Sequence, residues 1–501
     1  MTGLKTAADW QASAQRLRFS SGGFIDGDFR TLSGRELISI NPATEQVLAA
    51  FPAASEANVD TAARAARHAF DDGGWPRMAP QQRAVVIKRL AALMQTHQDQ
   101  LALIDTLDMG KPIAESAGFD IPQAIAAFQH AAEALDKRYD ELAPSAEDVQ
   151  VAIRREPIGV VAAIVPWNYP LLMAAWKVAP ALAAGNCVIL KPSEKSPLSA
   201  LLLARLAAEA GVPPGVFQVL PGYGDEVGKC LALHHDVDCL AFTGSTRVAG
   251  MLQVYAGSSN LKRVWCEAGG KNPSLIFDDA SLPSAADISA LAIYSNQGEV
   301  CIAASRLYLH QPIADEFLTL FDRAAAAFVP GDPLDPATRL GPLVDADHLA
   351  RVQGFIQRAR AGGLKIRHGG EPVKVDGKGF YMRPCSIEDV PPQAEAMTEE
   401  IFGPVVALAR FADEAEALRL ANNTRYGLGA CLWSNNPARI NRLTRRLKSG
   451  LIWVNTWGEG DVTVPFGGMK ASGNGRDKSL HAFDKYTDLK TIWQRFPADE
   501  G

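Results

Sequence analysis

Hydrophobic positions recur at helical spacing in the first third of the chain. Apolar and polar residues alternate in amphipathic order over residues 56–70, 81–109 and 121–139, and a Gly-Gly-Trp-Pro break at 73–76 separates the first two stretches. Apolar residues that return every three to four positions form one buried face of a helix. The pattern therefore predicts long helices in this region.

A different pattern begins near residue 160. Short apolar runs, each followed by a proline, lysine or glycine, alternate with helical stretches. The predicted strands are 160–165, 187–190, 216–220 and 239–243, and the predicted helices are 171–184, 197–210 and 224–233. Apolar strands that alternate with helices predict a parallel sheet covered on both faces, with its chemistry at the carboxyl ends of the strands.

A second α/β region begins near residue 274, so the predicted fold class is α/β. Alternating residues at 149–155 and 485–496 predict two further strands, which could belong to a sheet between subunits or to a surface hairpin of one subunit. In the second region the predicted strands are 274–277 and 306–310, the helices are 284–297, 312–327 and 345–361, and a loop with a hairpin covers 362–379.

The uncharged run over residues 157–176 has to be weighed as a membrane span. Pro157, Pro166 and Pro170 would break a helix exposed to lipid, so we interpret the run as buried core. The N-terminal residues show no basic start followed by an apolar stretch, and we expect no secretory signal. The net charge of −6 and the lack of a basic tract argue against nucleic acid as the main partner. We expect a cytoplasmic location and neither a membrane nor a nucleic acid as partner.

The seven cysteines are scattered and include no Cys-x-x-Cys pair, which indicates reduced thiols and no structural zinc site. Cys301 stands out in Ser-Asn-Gln-Gly-Glu-Val-Cys, and Glu267 stands out in Cys-Glu-Ala-Gly-Gly. A thiol and a carboxylate, each among small residues, predict the nucleophile and base of covalent catalysis. We interpret the neighbouring Cys266 as packing, with oxidation as the alternative. We expect no metal, because no cluster of metal ligands is visible.

Three turns after predicted strands carry candidate cofactor ligands. Gly224 lies in a G-x-G-x-x-x-G pattern, and Gly244 with Ser245 opens a helix whose free amides suit a pyrophosphate. Lys191 and Glu194 end another strand, where a carboxylate can accept hydrogen bonds from ribose hydroxyls. A plain strand-to-helix turn or a solvated charged turn would give the same patterns.

Asn168, in Pro-Trp-Asn-Tyr-Pro, follows the first strand of the predicted sheet. Its amide could donate to a developing oxyanion, or it could cap the next helix. Two clusters rich in glycine and proline, at 399–404 and 465–477, are either functional loops or structural crossings.

Together these segments resemble the aldehyde dehydrogenase superfamily over nearly the whole chain. The matching motifs occur in order and at family-like separations. They are Asn-Pro-Ala-Thr-Glu (41–45), Pro-Trp-Asn-Tyr-Pro (166–170), Leu-Lys-Pro-Ser-Glu (190–194), Phe-Thr-Gly-Ser-Thr (242–246), Glu-Ala-Gly-Gly-Lys (267–271), Asn-Gln-Gly-Glu-Val-Cys (296–301), Glu-Glu-Ile-Phe-Gly-Pro-Val (399–405) and Pro-Phe-Gly-Gly (465–468).

The resemblance implies a role for each matching position. Cys301 would be the nucleophile, Glu267 the general base, and Asn168 with the backbone amide of Cys301 the oxyanion hole. The cofactor would be NAD, with NADP possible, since Glu194 should repel a 2′-phosphate while nearby Lys191 softens that preference. The implied cofactor ligands are Trp167, Lys191, Glu194, Gly224, Gly244, Ser245, Glu400 and Phe402.

The resemblance also implies three structural units. The Rossmann-like NAD(P)-binding domain would cover 1–138 and 158–266, the α/β catalytic domain 267–470, and the small β oligomerisation element 139–157 and 485–497. The expected assembly is a homodimer or homotetramer.

Segments 178–199 and 473–482 resemble the bacterial branch that oxidises aminoaldehydes from polyamine breakdown. Asp461, just before Pro-Phe-Gly-Gly, could pair with an ammonium or guanidinium group, and Asp108 is a second candidate. Either could instead be a solvated loop acid.

Aromatic residues complete the expected substrate site. Trp176 and Trp457 could form walls that attract a cation, and the hydroxyl of Tyr169 could touch the substrate. The sequence thus predicts oxidation of an aminoaldehyde to an acid through a Cys301 thioester, which water activated by Glu267 then hydrolyses. Betaine aldehyde or a broad range of aliphatic aldehydes is the alternative substrate. Glu267 argues against transfer to coenzyme A, and retention of every expected residue argues against a purely structural protein.

Overall fold

A computed structural model of the protein describes residues 5–497. The strands in this part of the chain are β1 (Gly23–Ile25), β2 (Asp28–Arg30), β3 (Glu36–Ile40), β4 (Val47–Pro52), β5 (Glu141–Ala143), β6 (Val149–Pro157), β7 (Val160–Ile164), β8 (Cys187–Lys191), β9 (Phe217–Val219), β10 (Cys239–Gly244), β11 (Arg263–Ala268), β12 (Pro273–Ile276), β13 (Arg306–His310), β14 (Lys365–His368), β15 (Pro372–Val375), β16 (Lys378–Met382), β17 (Cys385–Glu388), β18 (Val405–Phe411), β19 (Gly429–Trp433), β20 (Leu451–Val454) and β21 (Thr487–Arg495).

The α-helices are α1 (Ala7–Arg16), α2 (Glu56–Asp71), α3 (Pro80–Thr96), α4 (Gln98–Met109), α5 (Ile113–Glu115), α6 (Ile121–Glu133), α7 (Pro170–Ala184), α8 (Leu198–Ala210), α9 (Lys229–Leu233), α10 (Thr246–Gly257), α11 (Leu282–Tyr294), α12 (Ala314–Ala325), α13 (Ala346–Ala361), α14 (Glu395–Thr398), α15 (Glu414–Asn422) and α16 (Pro437–Arg446). Shorter turns are π-helical at Ser116–Asp120 and Gly224–Gly228, and 3₁₀-helical at Ala134–Asp136, Ser295–Gly298, Gln311–Ile313, Lys470–Ser472 and Leu480–Lys485.

The first large sheet has the strand order β11-β10-β7-β8-β9-β1-β2. Strands β7 to β11 are parallel, while β1 and β2 run antiparallel at one edge. Every residue of β7 and β8 is buried, as expected for a parallel sheet covered on both faces. The uncharged run over 157–176 forms β7 and the start of α7, both in the core, and no helix of the described chain combines the length and apolarity that a bilayer crossing requires.

The second large sheet has the order β14-β17-β18-β13-β12-β19-β20 and is parallel apart from β14. The predicted strands 274–277 and 306–310 are β12 and β13. The segment 362–379 supplies edge strand β14 and begins the β15–β16 hairpin. The alternating α/β pattern thus predicted both sheets.

Helix bounds differ from the predictions at several places, including the predicted helix 224–233, which is the π-helical turn Gly224–Gly228 followed by α9. The predicted helix 81–109 is divided at His97 into α3 and α4, and the predicted helix 121–139 ends at Glu133. The predicted helix 284–297 ends at Tyr294, because Asn296 and Gln297 adopt left-handed backbone conformations. Apolar spacing locates a helix but does not report such a change of backbone hand.

A third, three-stranded antiparallel sheet has the order β21-β6-β5. Strand β21 pairs along its full length with β6, from Thr487 opposite Pro157 to Arg495 opposite Val149. The alternating segments are therefore strands that pair with each other within one chain. Leu489 and Trp493 remain largely exposed on β21.

The predicted domain bounds stay a prediction. Strand β11 continues to Ala268, so the bound between 266 and 267 falls inside a strand. The first four residues of the predicted range 1–138 lie outside the described residues.

A buried group of charges joins distant parts of the chain. Asp477, in the loop after Pro-Phe-Gly-Gly, pairs with Lys177 of α7 and with Lys485 of the C-terminal turn, and all three side chains are almost fully buried. Burial acts to raise the pKa of Asp477, but the two ammonium groups outweigh it and lower the pKa. Phe466 and Asp477 also exchange backbone hydrogen bonds, so this ion triad holds both ends of the 465–477 loop.

Replacing Asp477 by alanine should strongly destabilise the protein, because it leaves two buried ammonium groups without a counter-charge. Breaking a buried pair by removing one partner costs about 3–5 kcal/mol. We expect a clearly lower midpoint of urea or thermal unfolding. Since the pKa of Asp477 is lowered, its contribution is present above the ordinary pKa of an aspartate and is lost as the pH falls below that value.

The matched control is Glu156→Gln, which breaks the exposed pair with Lys490 on β21. Exposed ion pairs contribute little, so this variant should unfold like the wild type. Equal unfolding midpoints for Asp477→Ala and Glu156→Gln would show that the triad does not hold the loop.

Candidate active site

One large cavity, with a volume of about 1220 Å³, lies between residues of the two large sheets. The carboxyl ends of β7, β10 and β11 open into it, as the parallel pattern predicts. Most of the predicted site residues line this cavity. They are Trp167, Asn168, Tyr169, Trp176, Gly244, Ser245, Glu267, Cys301, Glu400, Phe402 and Asp461.

A loop with an unusual backbone carries Cys301 into the cavity. Asn296, Gln297 and Gly298 have φ angles of 44°, 55° and 70°, three left-handed residues in succession. At Gly298 a Cβ would lie 2.3 Å from the carbonyl oxygen of Gly403, so a side chain cannot fit there. The loop therefore needs glycine at 298, and it closes against the 399–405 segment.

Two side chains hold the nucleophile loop from outside the cavity. Asn272 Nδ2 donates to the carbonyl oxygens of Cys301, at 2.8 Å, and Ala303, at 2.9 Å. Trp457 Nε1 donates to the carbonyl oxygen of Ile302 at 3.0 Å. Trp457 was predicted to be a substrate wall, but it does not line the cavity. It fixes the backbone beside Cys301 instead, and Trp453 lines the cavity.

A second set of contacts joins this loop to Asn168. Glu115 accepts hydrogen bonds from the backbone N–H of Asn296, at 3.1 and 3.2 Å, and Asn296 Nδ2 donates to the carbonyl oxygen of Asn168 at 2.9 Å. The sequence reasoning missed Glu115, Asn272 and Asn296 as positioning residues. Asn296 carried a usable signal, because asparagine tolerates left-handed backbone better than most residues.

Asn168 points its side chain toward the nucleophile loop. Its Nδ2 donates to the carbonyl oxygen of Glu299 at 2.7 Å. A primary amide has two N–H groups, so one donor remains for a substrate oxygen. Asn168 does not cap α7. Tyr169 occupies the N-cap position of that helix, and no side chain accepts a hydrogen bond from its first turn.

Glu267 is buried, and Cys301 is partly buried in the wall of the cavity. Burial raises the pKa of the Cys301 thiol above its ordinary value, and the carboxylates Glu267 and Glu400 raise it further. Burial also raises the pKa of Glu267 to about 8, with Asp477 adding to the effect. Neither carboxylate oxygen of Glu267 has a hydrogen-bond partner. The thiol is therefore neutral at pH 7, and the thiolate has to be formed by transfer of its proton to a base.

The 399–405 segment forms another part of the cavity wall. Glu400 accepts a hydrogen bond from the backbone N–H of Gly270 at 2.9 Å, and a Cβ at Gly269 would lie 2.0 Å from its Oε2. Phe402, with a φ of 59°, places its ring edge-on to Trp167, with 5.4 Å between centroids. This segment thus presents a fixed carboxylate and a ring to the cavity.

The start of α10 offers groups that fit a pyrophosphate. Ser245 caps the helix by accepting from the backbone N–H of Val248, and it leaves other first-turn amides free. The hydroxyl of Thr243 is buried and has no hydrogen-bond partner, and a Cβ at Gly244 would meet the Phe242 ring at 2.5 Å. Helix N-termini with free amides bind phosphate, so the residues fit a dinucleotide.

Three predicted ligands lie outside the lining of this cavity. Lys191 and Glu194 pair with each other at 3.1 Å after β8, and Glu194 remains partly exposed. Gly224 begins the π-helical turn Gly224–Gly228, and the space around its Cα is open. All three stay candidates for the adenosine end of a cofactor.

Asp108 does not reach the cavity. Its carboxylate is buried on α4, where it accepts hydrogen bonds from the Ser39 hydroxyl and from the backbone N–H of Leu198 at 2.9 Å. The suggested contact with substrate is therefore not supported by its position. These two hydrogen bonds satisfy the buried carboxylate and connect α4 with other elements of the fold.

The family model for the aldehyde dehydrogenase family matches residues 29–492. The chain belongs to this family. It is 48% identical over 488 residues to the NADP/NAD-dependent aldehyde dehydrogenase PuuC of Escherichia coli K12. The matched residues cover 97% of this chain and 98% of PuuC.

Two solved structures of aldehyde dehydrogenases share the whole architecture. The gamma-glutamyl-gamma-aminobutyraldehyde dehydrogenase of Burkholderia cenocepacia J2315 is 49% identical, with a TM-score of 0.96 over 98% of this chain and 100% of that one. A mutant of the P. syringae indole-3-acetaldehyde dehydrogenase AldA, in complex with NAD+ and IAA, is 48% identical, with a TM-score of 0.97 and the same coverage. The predicted family, fold class and enzyme class, an oxidoreductase of aldehydes, are confirmed.

Alkylation of Cys301 by iodoacetamide, without cofactor, should be slow at pH 7 and should rise about tenfold per pH unit to beyond pH 9. Only the thiolate reacts, and the raised pKa keeps the thiolate fraction small over this range. Mass spectrometry of the peptide that contains Cys301 measures the rate, with glutathione as a reference thiol.

Glu267→Gln is the matched variant, because it removes a negative charge that raises the thiol pKa. It should react faster than the wild type at pH 8. A rate that levels off below about pH 8.5, the ordinary pKa of a cysteine, would contradict the neutral thiol.

Proposed function

We propose that this chain oxidises an aminoaldehyde, of the kind formed in polyamine breakdown, to the carboxylic acid with NAD+ or NADP+ as the acceptor. The carrying observation is that Cys301 and Glu267 line one cavity and that Glu267 keeps both carboxylate oxygens free of protein donors. A thiol and an unpartnered base in one cavity are the groups that covalent aldehyde oxidation needs.

The first step is addition of the Cys301 sulfur to the aldehyde carbon. The thiol loses its proton to solvent water that enters the cavity, which leaves Glu267 unprotonated for the second half of the reaction. The aldehyde oxygen becomes an oxyanion, which the free N–H of Asn168 and the backbone N–H of Cys301 stabilise. Fixed donors cost no reorganisation when this charge develops, so the contacts that orient Asn168 serve catalysis directly.

The nicotinamide cofactor, when bound, supplies the acceptor for the hydride that the substrate carbon loses. Glu400 and Phe402 would hold its nicotinamide end, and Gly244 with Ser245 its pyrophosphate. At the adenosine end Trp167, Lys191, Glu194 and the Gly224 turn are the proposed contacts. The unpartnered Thr243 hydroxyl beside Ser245 supports this placement.

The second half of the reaction is hydrolysis of the Cys301 thioester. Glu267 takes a proton from water, and the hydroxide adds to the thioester carbon. The C–S bond then breaks, and the sulfur takes the proton from Glu267 to leave as the thiol. A base works best when its pKa lies near the working pH, and burial raises the pKa of Glu267 to about 8. The raised pKa is therefore suited to hydrolysis at a mildly alkaline pH.

Two observations support an aminoaldehyde as substrate. The cavity presents the exposed carboxylates of Glu459 and Asp461 and the aromatic rings of Trp176 and Phe466. Among relatives, the 42% identical protein of Pseudomonas aeruginosa, over 496 residues, is an aminoacetaldehyde dehydrogenase. Tyr169 also lines the cavity, and the buried ammonium group of Lys111 lies 3.3 Å from its ring centroid.

We also propose a homodimer or homotetramer that forms through the open edge of β21. This edge carries the exposed side chains of Leu489 and Trp493, and an unpaired strand edge is a template for pairing with another chain. A cytoplasmic location and the lack of membrane or nucleic-acid partners stay predictions.

Cys301→Ala should abolish reduction of NAD+ by aldehyde, because no other group in the cavity can form the thioester. Glu267→Gln should retain the acylation step but slow hydrolysis by about 10²–10⁴-fold, the usual contribution of a general base. Absorbance of NADH in rapid-mixing experiments would then show a burst followed by slow turnover.

Product analysis separates this proposal from its rivals. Free acid should form without coenzyme A, whereas a transferase would require coenzyme A for turnover. Full activity in Cys301→Ala would refute the nucleophile, and wild-type turnover in Glu267→Gln would refute the base.

The rate of thioester hydrolysis should rise with pH through about pH 8 and level off above it. Glu267 acts as a base only when ionised, and its pKa is raised to about 8, so the protonated form predominates at lower pH. Single-turnover hydrolysis measured from pH 6 to 10 tests this, and Glu267→Gln should lack the rise. A rise centred near pH 4–5, the ordinary range of a glutamate, would show that burial does not control this base.

A further inference from the structure

The general base of the proposed reaction is carried by a strand at the edge of its sheet. Strand β11 pairs with β10 on one side, where Cys266 lies opposite Phe242 and Glu267 lies opposite Thr243. Among the described residues, no strand of this sheet lies on the other side of β11. An edge strand leaves a row of backbone groups without sheet partners, so these groups of β11 need partners from elsewhere.

The segment 472–475 supplies these partners, chiefly through Asn474. The backbone N–H of Cys266 donates to Asn474 Oδ1 at 2.8 Å, and Asn474 Nδ2 donates to the carbonyl oxygen of Val264 at 3.1 Å. The backbone N–H groups of Asn474 and Gly475 donate to the carbonyl oxygen of Cys266 at 3.0 and 3.2 Å. Asn474 thus binds the open edge of β11 with both its side chain and its backbone, as a neighbouring strand would.

A glycine allows the segment to come this close to β11. Gly473 forms an antiparallel bridge with Glu267, and its φ angle is 119°. A Cβ at Gly473 would lie 2.1 Å from the carbonyl oxygen of Cys266, so a side chain does not fit there. The 473–482 segment therefore begins with two residues that contact the strand of the base, and Asn474 itself lies outside the lining of the cavity.

Glu267 depends on its backbone for its direction. Both of its carboxylate oxygens are buried and have no hydrogen-bond partner in the described chain. Successive side chains of a strand point to opposite faces, so fixing the backbone at Cys266 fixes the direction in which Glu267 projects into the cavity. A small rotation of β11 would therefore move the base away from the thioester carbon.

We propose that Asn474 is a positioning residue, which holds the end of β11 so that Glu267 is directed at the water that hydrolyses the Cys301 thioester. This inference rests on the proposed role of Glu267 as the base and extends it to a residue outside the cavity. Addition of the Cys301 sulfur and loss of the hydride do not use this base, so only the second half of the reaction should depend on Asn474. Asn474 is exposed, so its replacement removes hydrogen bonds at the surface and leaves the core in place.

Asn474→Ala should slow hydrolysis of the thioester about tenfold and leave hydride transfer unchanged, because the base is displaced while the nucleophile is not. Single-turnover mixing with 4-aminobutanal and NAD+ gives the rate of hydride transfer from the absorbance of NADH. Mass spectrometry of the quenched peptide that contains Cys301 gives the rate at which the acyl group is lost.

Asn260→Ala is the matched control. Asn260 is also exposed, and its Nδ2 donates to the backbone carbonyl oxygens of His235 and Val237 at 2.9 and 3.0 Å. Its replacement should lower the midpoint of thermal unfolding about as much as Asn474→Ala does, and leave both rates at wild-type values. Equal slowing of hydrolysis in the two variants, or equal slowing of hydride transfer and hydrolysis in Asn474→Ala, would show a merely structural role and overturn the inference.

A double variant tests whether Asn474 acts through the base. Adding Asn474→Ala to Glu267→Gln should slow hydrolysis no further, because the carboxylate that Asn474 directs is already gone. A further loss of similar size would overturn the inference. Wild-type hydrolysis in Asn474→Ala, together with slow hydrolysis in Glu267→Gln, would overturn this inference alone. Wild-type hydrolysis in Glu267→Gln would instead refute the proposed function.

Discussion

Burial of two ionisable groups in one cavity is the constraint on which this site depends. A carboxylate without protein donors and a thiol without a cation nearby both lose hydration, so both favour their neutral forms. Burial therefore favours the protonated forms of Cys301 and Glu267 before the substrate binds. The same desolvation strengthens every fixed dipole around the reacting carbon, which is why the orientation of Asn168 matters.

The surrounding fold holds this unfavourable arrangement in place. Left-handed residues of the nucleophile loop are backed by Asn272, Glu115 and Trp457, each hydrogen-bonded to backbone rather than to the reacting groups. On the other side, the buried ions around Asp477 hold the loop that faces Glu267, and the charge of Asp477 raises the pKa of that base. Stability and catalysis are thus coupled through one buried aspartate.

Much of this organisation could be predicted from the sequence. The apolar runs of β7 and β10 end at residues that line the cavity, so the parallel pattern predicted where the site lies. The surroundings of single side chains could not be predicted in the same way. Asp108 and Asp461 are both acids near glycine, yet one is buried by Ser39 and the other is exposed, because burial depends on elements distant in the chain. The roles of Trp457 and Glu115 depend on long-range contacts in the same way.

The cavity wall near Pro-Phe-Gly-Gly carries a lysine as well as the acids that precede the motif. Asp461 could be predicted from the sequence because it precedes a glycine-rich motif, whereas the position of Lys478 depends on the long-range pairing of Asp477 with two lysines. That tie turns the next side chain toward the aromatic wall of Trp176 and Phe466. A buried triad that stabilises the loop therefore also decides which charge the loop presents. The substrate side of the cavity thus carries charges of both signs, with exposed carboxylates on Glu459 and Asp461 and the partly buried ammonium group of Lys478.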